Sequence, residues 1–356
     1  MQVFLSLGGR SMFSGIGPAD RLLVGTAGGI YGLQRADDRK WHVAWTALQG
    51  HHISSIETDP ESGALFAGIY GGGISASTDD GKTWHARDAG LSSANVYSLT
   101  LADAAGGKKL FAGTEPAHLF ESTDMGDSWT ELRSLRDAPS LPDWTFPAPP
   151  HIAHAKFIAV APHDPDVMYV AIEVGGLLKS QDGGLGWEEL HGFYEDVHRI
   201  MICGNDPDSV YITTGNGLFH TANGGRTWKR MTEPTFAIAY PDPLVVVPGR
   251  ENLMFMAGAT GAPRTWHKTR HAESHIGRSR DGGETWELLS GGLPVPVDGN
   301  IEAMSLMSWP GGFELFAATT GGDIYCSDDE GEHWSKIIDG LPSIAKSRHD
   351  KILQPA

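Results

Sequence analysis

The stretch Ser77-Thr78-Asp79-Asp80-Gly81-Lys82-Thr83-Trp84 returns, with small changes, at Ser122 to Trp129, Ser180 to Trp187, Thr221 to Trp228, Ser279 to Trp286 and Ser327 to Trp334. A worn seventh copy, Arg35-Ala36-Asp37-Asp38-Arg39-Lys40-Trp41, comes before them. Each copy separates a short apolar run, such as Gly73-Ile74-Ser75-Ala76 or Gly176-Leu177-Leu178-Lys179, from a second run that opens at the Trp. That is the pattern of a tight hairpin inside a repeat array. The residue types have local reasons. The Asp folds back onto the turn's own amides, the Gly supplies a positive φ, and the Trp buries a large apolar body between neighbouring units.

Seven units of about fifty residues use the whole 356-residue chain, so one closed array over 1–356 is the economical organisation. The 46 Gly and 21 Pro suit many short strands joined by turns, and 40% hydrophobic residues suffice for a packed interior. A formal charge of -17 speaks against a nucleic-acid or anionic-membrane partner, because phosphates are repelled over most of the surface. The start, Met1-Gln2-Val3-Phe4-Leu5-Ser6-Leu7, lacks a basic leader and no later run is apolar enough to span a bilayer, so a cytoplasmic protein is expected. Cys203 and Cys326 fall in strands of different units and are read as buried free thiols.

Each unit reads as four strands, innermost to outermost, with the repeated turn joining the third to the fourth. The expected fold is therefore an all-β, seven-bladed β-propeller. In the irregular sixth unit the first strand is placed at 236–240. The segment 343–353 is expected to supply the missing inner strand of the first unit and close the ring. The rival for that place is the N-terminal run 3–7. Two intervals between successive Trp, Trp129 to Trp187 and Trp228 to Trp286, are longer than the rest. The first holds a Pro-rich insertion with Trp144 and Phe146, the second an insertion with Arg264, Trp266, His267, Lys268, Arg270 and His271. Strand direction puts both insertions on the face opposite the repeated turns, as flaps offering Trp144, Phe146, Trp266, His267 and Arg270 to a substrate. Each insertion also has the plainer reading of a solvated or anchored loop.

Sixteen histidines is a high count for this length, and several stand where a first strand begins. His51, Asn95 and His198 each precede an Asp at the same spacing, His154 at a slightly longer one, so the side chains share a parity toward the axis. With His52 and His349, these imidazoles make a candidate site for a divalent transition metal, copper, iron or zinc. The plainer reading is hydrogen-bonded filling around trapped water. Ends of second strands open on the same face and place Tyr70, Glu115 and Glu173 there. With Arg199 these are the candidate catalytic residues.

The repeated turn is similar to the Asp-box (BNR) repeat of sialidases, two-domain xyloglucanases, sortilin-type receptors and the photosystem II assembly factor family. All are β-propellers, which is what the resemblance implies for the fold. It implies no single activity, since the repeat recurs with unrelated chemistry. Thr145-Phe146-Pro147, His151-Ile152-Ala153-His154 and Val174-Gly175-Gly176-Leu177-Leu178-Lys179-Ser180 resemble a group of bacterial single-propeller BNR proteins whose usual labels are glycosyl hydrolase or exo-sialidase. An Arg-Ile-Pro motif of the sialidase type does not occur. Three functions stay open: an enzyme for a small-molecule ligand with a histidine-lined, metal-bearing mouth, a non-enzymatic glycan- or protein-binding propeller, and a sialidase-like or other glycoside hydrolase with two facing carboxylates. The oligomeric state is not legible.

Overall fold

A computed structural model describes residues 1–346 apart from 105, 163 and 205. Its strands form seven sheets, making the chain an all-β, seven-bladed β-propeller. The chain divides into two compact units, Met1–Ile53 with Met231–Ala356, and Ser54–Arg230.

In the first unit, the opening sheet runs Gln2–Leu5, Arg21–Thr26, Gly29–Arg35 and Trp41–Ala47. Its inner strand comes from the N-terminus, parallel to its neighbour with Gln2 opposite Arg21 and Leu5 opposite Val24. The expected closing strand at 343–353 does not take that place. Residues 343–346 are buried without forming a strand, and the remainder lies outside the described residues. Val3, Phe4 and Leu5 suit an inner strand packed on both faces, whereas Lys346, Arg348, Asp350 and Lys351 do not. The sixth sheet starts at Tyr240–Val247, later than the expected 236–240. Its two prolines read as strand breakers, but a register shift between Pro241 and Leu244 takes them up. The seventh sheet, Ile301–Trp309 to Ser335–Ile338, gains a fifth strand, Met12–Ser14, parallel to Ile301–Trp309.

In the second unit, the sheets start at Ser54 within His52–Thr58 and continue with Val96–Ala104, Ala155–Ala161 and Val197–Cys203 as first strands. The repeated turn joins the third and fourth strands, and its hydrogen bonds explain its composition. In the first full copy the Ser77 hydroxyl donates to Asp79 Oδ1 at 2.8 Å and accepts from the Gly81 amide at 3.0 Å. Asp79 then accepts from the Thr83 amide at 2.9 Å and the Thr83 hydroxyl at 2.7 Å. Gly81 sits at φ 84° and Asp80 at φ 64°, so two successive residues adopt the left-handed region that closes the turn. The bond from the amide four residues on recurs at Asp124, Asp182, Asn223, Asp281 and Asp329, and the hydroxyl bond recurs at Asp124 and Asp281.

Several of the Trp that end these turns pack where two sheets meet. Trp129 joins Phe66 and Ile74 of one sheet to Leu99 and Phe120 of the next. In the first unit Trp334 does the same with Phe255 and Leu315, and Trp41 with Val24 and Phe316. An indole buries about 150–250 Å² and so anchors such a seam with a few kcal/mol. Both cysteines are free; Cys326 is buried and Cys203, expected to be buried, is half-buried.

The turn carboxylates make stability pH-dependent. The Thr83 amide and hydroxyl hold Asp79 down to about 2, against the ordinary 3.8. The Ser128 hydroxyl and amide do the same to Asp124, also to about 2. A folded-state value below the unfolded one gives stabilisation that is complete above the ordinary value and lost as pH falls through the folded one. The urea midpoint is expected to stay level above about pH 5 and to drop between about pH 4 and 2. Asp79→Asn should lower the midpoint at neutral pH and flatten that acid slope, since the fifth turn already works with an Asn223 that has no acid to lose.

Candidate functional site

The second unit carries a connected group of buried polar side chains. Glu115 and Glu173 stand just past the ends of Gly107–Thr114 and Asp164–Ile172, His154 just before Ala155–Ala161, and His198 inside Val197–Cys203. His154 is fully buried and lies between the two carboxylates. Its Nε2 is 2.6 Å from Glu173 Oε2 and its Nδ1 is 3.8 Å from Glu115 Oε2. The Tyr70 hydroxyl donates to Glu115 Oε1 at 3.0 Å, Asn95 Nδ2 donates to the same oxygen at 3.3 Å, and the Tyr97 hydroxyl donates to Oε2 at 3.3 Å. The Tyr97 ring stacks on the His154 ring with centroids 3.8 Å apart. Phe146, from the Pro-rich insertion, stands 5.0 Å from the same ring.

Glu173 carries the group further. Lys156 Nζ is 3.3 Å from Glu173 Oε2, and Asp196 Oδ1 is 3.3 Å from His198 Nε2. One ligand-type atom from each of Glu173, Asp196 and His198 lies within 4.8 Å of the others. Taking an ion out of water costs several kcal/mol unless it is closely paired, so a packed interior gains little from such a group. Clusters of this kind are where proton transfer and ligand binding concentrate.

The structure sorts the candidates from sequence. Tyr70, Glu115, Glu173, His154 and His198 come together in one unit. Arg199 is buried, but its guanidinium lies 4.5 Å over the Phe157 ring. Near Glu115 in the chain, His118 lies outside this group, 3.7 Å from Glu131, and burial lowers its pKa. Of the proposed metal ligands, His51 is exposed, and His52 Nε2 lies 2.8 Å from the Ala345 carbonyl oxygen. His349 lies outside the described residues. His154 engages Glu173 and so orients a carboxylate.

The flaps also divide. Phe146 reaches the cluster, and Trp144 is half-buried with its indole N–H on Ser140 Oγ at 2.8 Å. The second insertion folds into the short helix Pro263–Thr269, which turns Trp266 inward onto Tyr240 and leaves it 1% exposed. Trp266 therefore offers no stacking face. Arg270 caps that helix in a left-handed conformation at φ 61° and is exposed; the side chain of His267 lies outside the described residues.

Three members of the group were not among the sequence candidates: Tyr97, Lys156 and Asp196. Lys156 and Asp196 stand two residues from His154 and His198 along the chain. Side chains two apart on an extended segment share a face, so the parity that selects the histidines also reaches these two.

No family model matches the chain. In sequence it is similar to the photosystem II assembly lipoprotein Ycf48 of Synechococcus sp. (strain CC9902), 23% identical over 304 residues, 84% of this chain and 79% of that protein. It is also similar to a probable oligoxyloglucan-reducing end-specific xyloglucanase of Neosartorya fischeri, 24% identical over 177 residues, 48% of this chain and 19% of that one. Among solved structures it is similar to the GH74 xyloglucanase from Xanthomonas campestris, with a TM-score of 0.67, 21% identity, and coverage of 95% of this chain and 55% of that one. The chain thus spans less than two thirds of either xyloglucanase. At these identities the structural likeness speaks for the propeller fold.

The position of His154 makes a stability prediction. His154→Ala leaves Glu115 and Glu173 buried without the imidazole between them and should cost about 3–5 kcal/mol in urea unfolding. His51→Ala, at an exposed site, should stay within about 0.5 kcal/mol. Equal effects would show that the imidazole does not hold the two carboxylates.

Proposed function

We propose that the chain is an enzyme acting on a small, sugar-sized polar molecule, with a proton-transfer centre built from Glu115, His154 and Glu173. One observation carries this reading: a buried imidazole has a carboxylate facing each of its nitrogens, at 2.6 Å and 3.8 Å. A neutral imidazole holds a proton on one nitrogen and a lone pair on the other, so it can take a proton from a protonated Glu115 on Nδ1 and pass the Nε2 proton to Glu173, once Glu115 closes from 3.8 Å to hydrogen-bond distance. The hydroxyls of Tyr70 and Tyr97 and the amide of Asn95 fix Glu115 at the entry of the relay. Phe146 adds an apolar ring beside it, the kind of wall on which the C–H face of a sugar or an aromatic group rests.

The names of the xyloglucanase relatives support a carbohydrate ligand. Because His154 stands between Glu115 and Glu173, glycoside cleavage here draws its proton through the imidazole and not from two directly facing carboxylates. A second reading, a protein-binding platform, is favoured by the similarity to Ycf48 over most of both chains.

Incubation with a panel of aryl glycosides and xyloglucan oligosaccharides, with products followed by chromatography, separates the two. Turnover by the parent protein is expected, with kcat reduced about 100-fold or more in Glu115→Gln and less in Tyr70→Phe. No turnover across the panel, together with undiminished capture of a protein partner by Glu115→Gln, would establish the platform instead.

A further inference from the structure

We infer that Glu173, Asp196 and His198 form a binding site for a divalent first-row transition ion. The inference rests on the buried centre just described and deepens that reading by assigning it a cofactor. Three observations support it. The ligand-type atoms of the three residues lie within 4.8 Å of one another, close enough for modest side-chain adjustment to bring them onto one ion at bonds of about 2.0–2.2 Å. The side chains of Glu173 and His198 are buried, at 3% and 0% exposure, and that of Asp196 is 13% exposed. Asp196 Oδ1, buried, has no hydrogen-bond partner among the described residues and stands 3.3 Å from His198 Nε2.

The surroundings are those of a metal site with oriented ligands. His154 and Lys156 both reach Glu173 Oε2, at 2.6 Å and 3.3 Å, and so fix the plane of that carboxylate. Outer partners of this type orient metal-binding carboxylates elsewhere. Charge also favours a dication. Among the described contacts of the connected group, Glu115, Glu173 and Asp196 face the ammonium of Lys156 when both imidazoles are neutral, which is the form that ligates, while the neighbouring Arg199 guanidinium lies over the Phe157 ring. A divalent ion balances that group. Two carboxylates and one imidazole suit zinc, iron or cobalt, and three protein ligands leave room for water or a substrate oxygen.

The test uses full-length protein without a histidine tag. After metal is stripped with a chelator, Zn²⁺ is titrated by calorimetry and Co²⁺ by its visible absorption, which reports nitrogen and oxygen ligation. About one equivalent is expected to bind. Asp196→Asn, isosteric with the native residue, should weaken binding about 10-fold or more, and His198→Ala should abolish it. His51→Ala should bind as the parent does. Absence of uptake by the parent, or uptake that persists in both Asp196→Asn and His198→Ala, would overturn the inference. Turnover on the glycoside panel by protein that takes up no metal would sink the metal site and leave the proton relay standing. Metal bound at these residues in a protein without turnover would do the reverse.

Discussion

One buried hydroxyl at the end of the third strand organises six of the seven repeats. Ser77 gives its proton to Asp79 and its lone pair to the Gly81 amide, and both contacts close the same turn. With the turn closed, the chain must reverse at a fixed point, and the Trp that follows is delivered to a seam between sheets. Threonine serves equally at position 221, where the hydroxyl makes the same two bonds. Because the device is local, it can be repeated without long-range information. That explains how a chain with weak overall similarity to its relatives keeps their architecture.

The parts of the fold built on that device are the parts legible in the residues. Strand order within each sheet follows from turn, apolar run and turn. What was not legible depends on competition between segments or on backbone irregularity. Two runs competed for the inner strand of the first sheet, and only packing on both faces decides for Val3, Phe4 and Leu5. Pro241 and Pro243 disguise a strand because a register shift is invisible in composition. Trp266 looks exposed in a polar insertion, yet a single helical turn from Pro263 buries it.

Much the same holds for the site. Strand parity located His154 and His198, and strand ends located Tyr70, Glu115 and Glu173, because both follow from regular β geometry. Their mutual distances do not follow from it. That His154 sits between two carboxylates, and that Lys156 and Asp196 complete the group, depends on how neighbouring sheets bring their ends together. His51 has the parity but faces water, and His52, one residue on, meets the Ala345 carbonyl.

Among the indoles of the six full copies, two behave differently from the other four. Trp84, Trp228, Trp286 and Trp334 donate to the Gly carbonyl of their own turns, whereas Trp187 donates to Ser134 Oγ at 3.1 Å. Ser134 in turn donates to the Gly184 carbonyl, and Trp129 reaches the Arg87 carbonyl. The root of the Pro-rich insertion is thereby tied to a repeated turn, and further along Trp144 is tied to Ser140, whose amide holds Glu189. The part after Trp144, with its three prolines, is held in turn by the Thr145 amide on the Val174 carbonyl and by His151 Nδ1 against the Phe146 carbonyl, so a ligand at the proposed centre would meet an insertion already tethered. Ordering a residue costs roughly 1–2 kcal/mol, so pre-tethering most of the insertion lets binding free energy appear as affinity instead of being consumed in immobilising a loop.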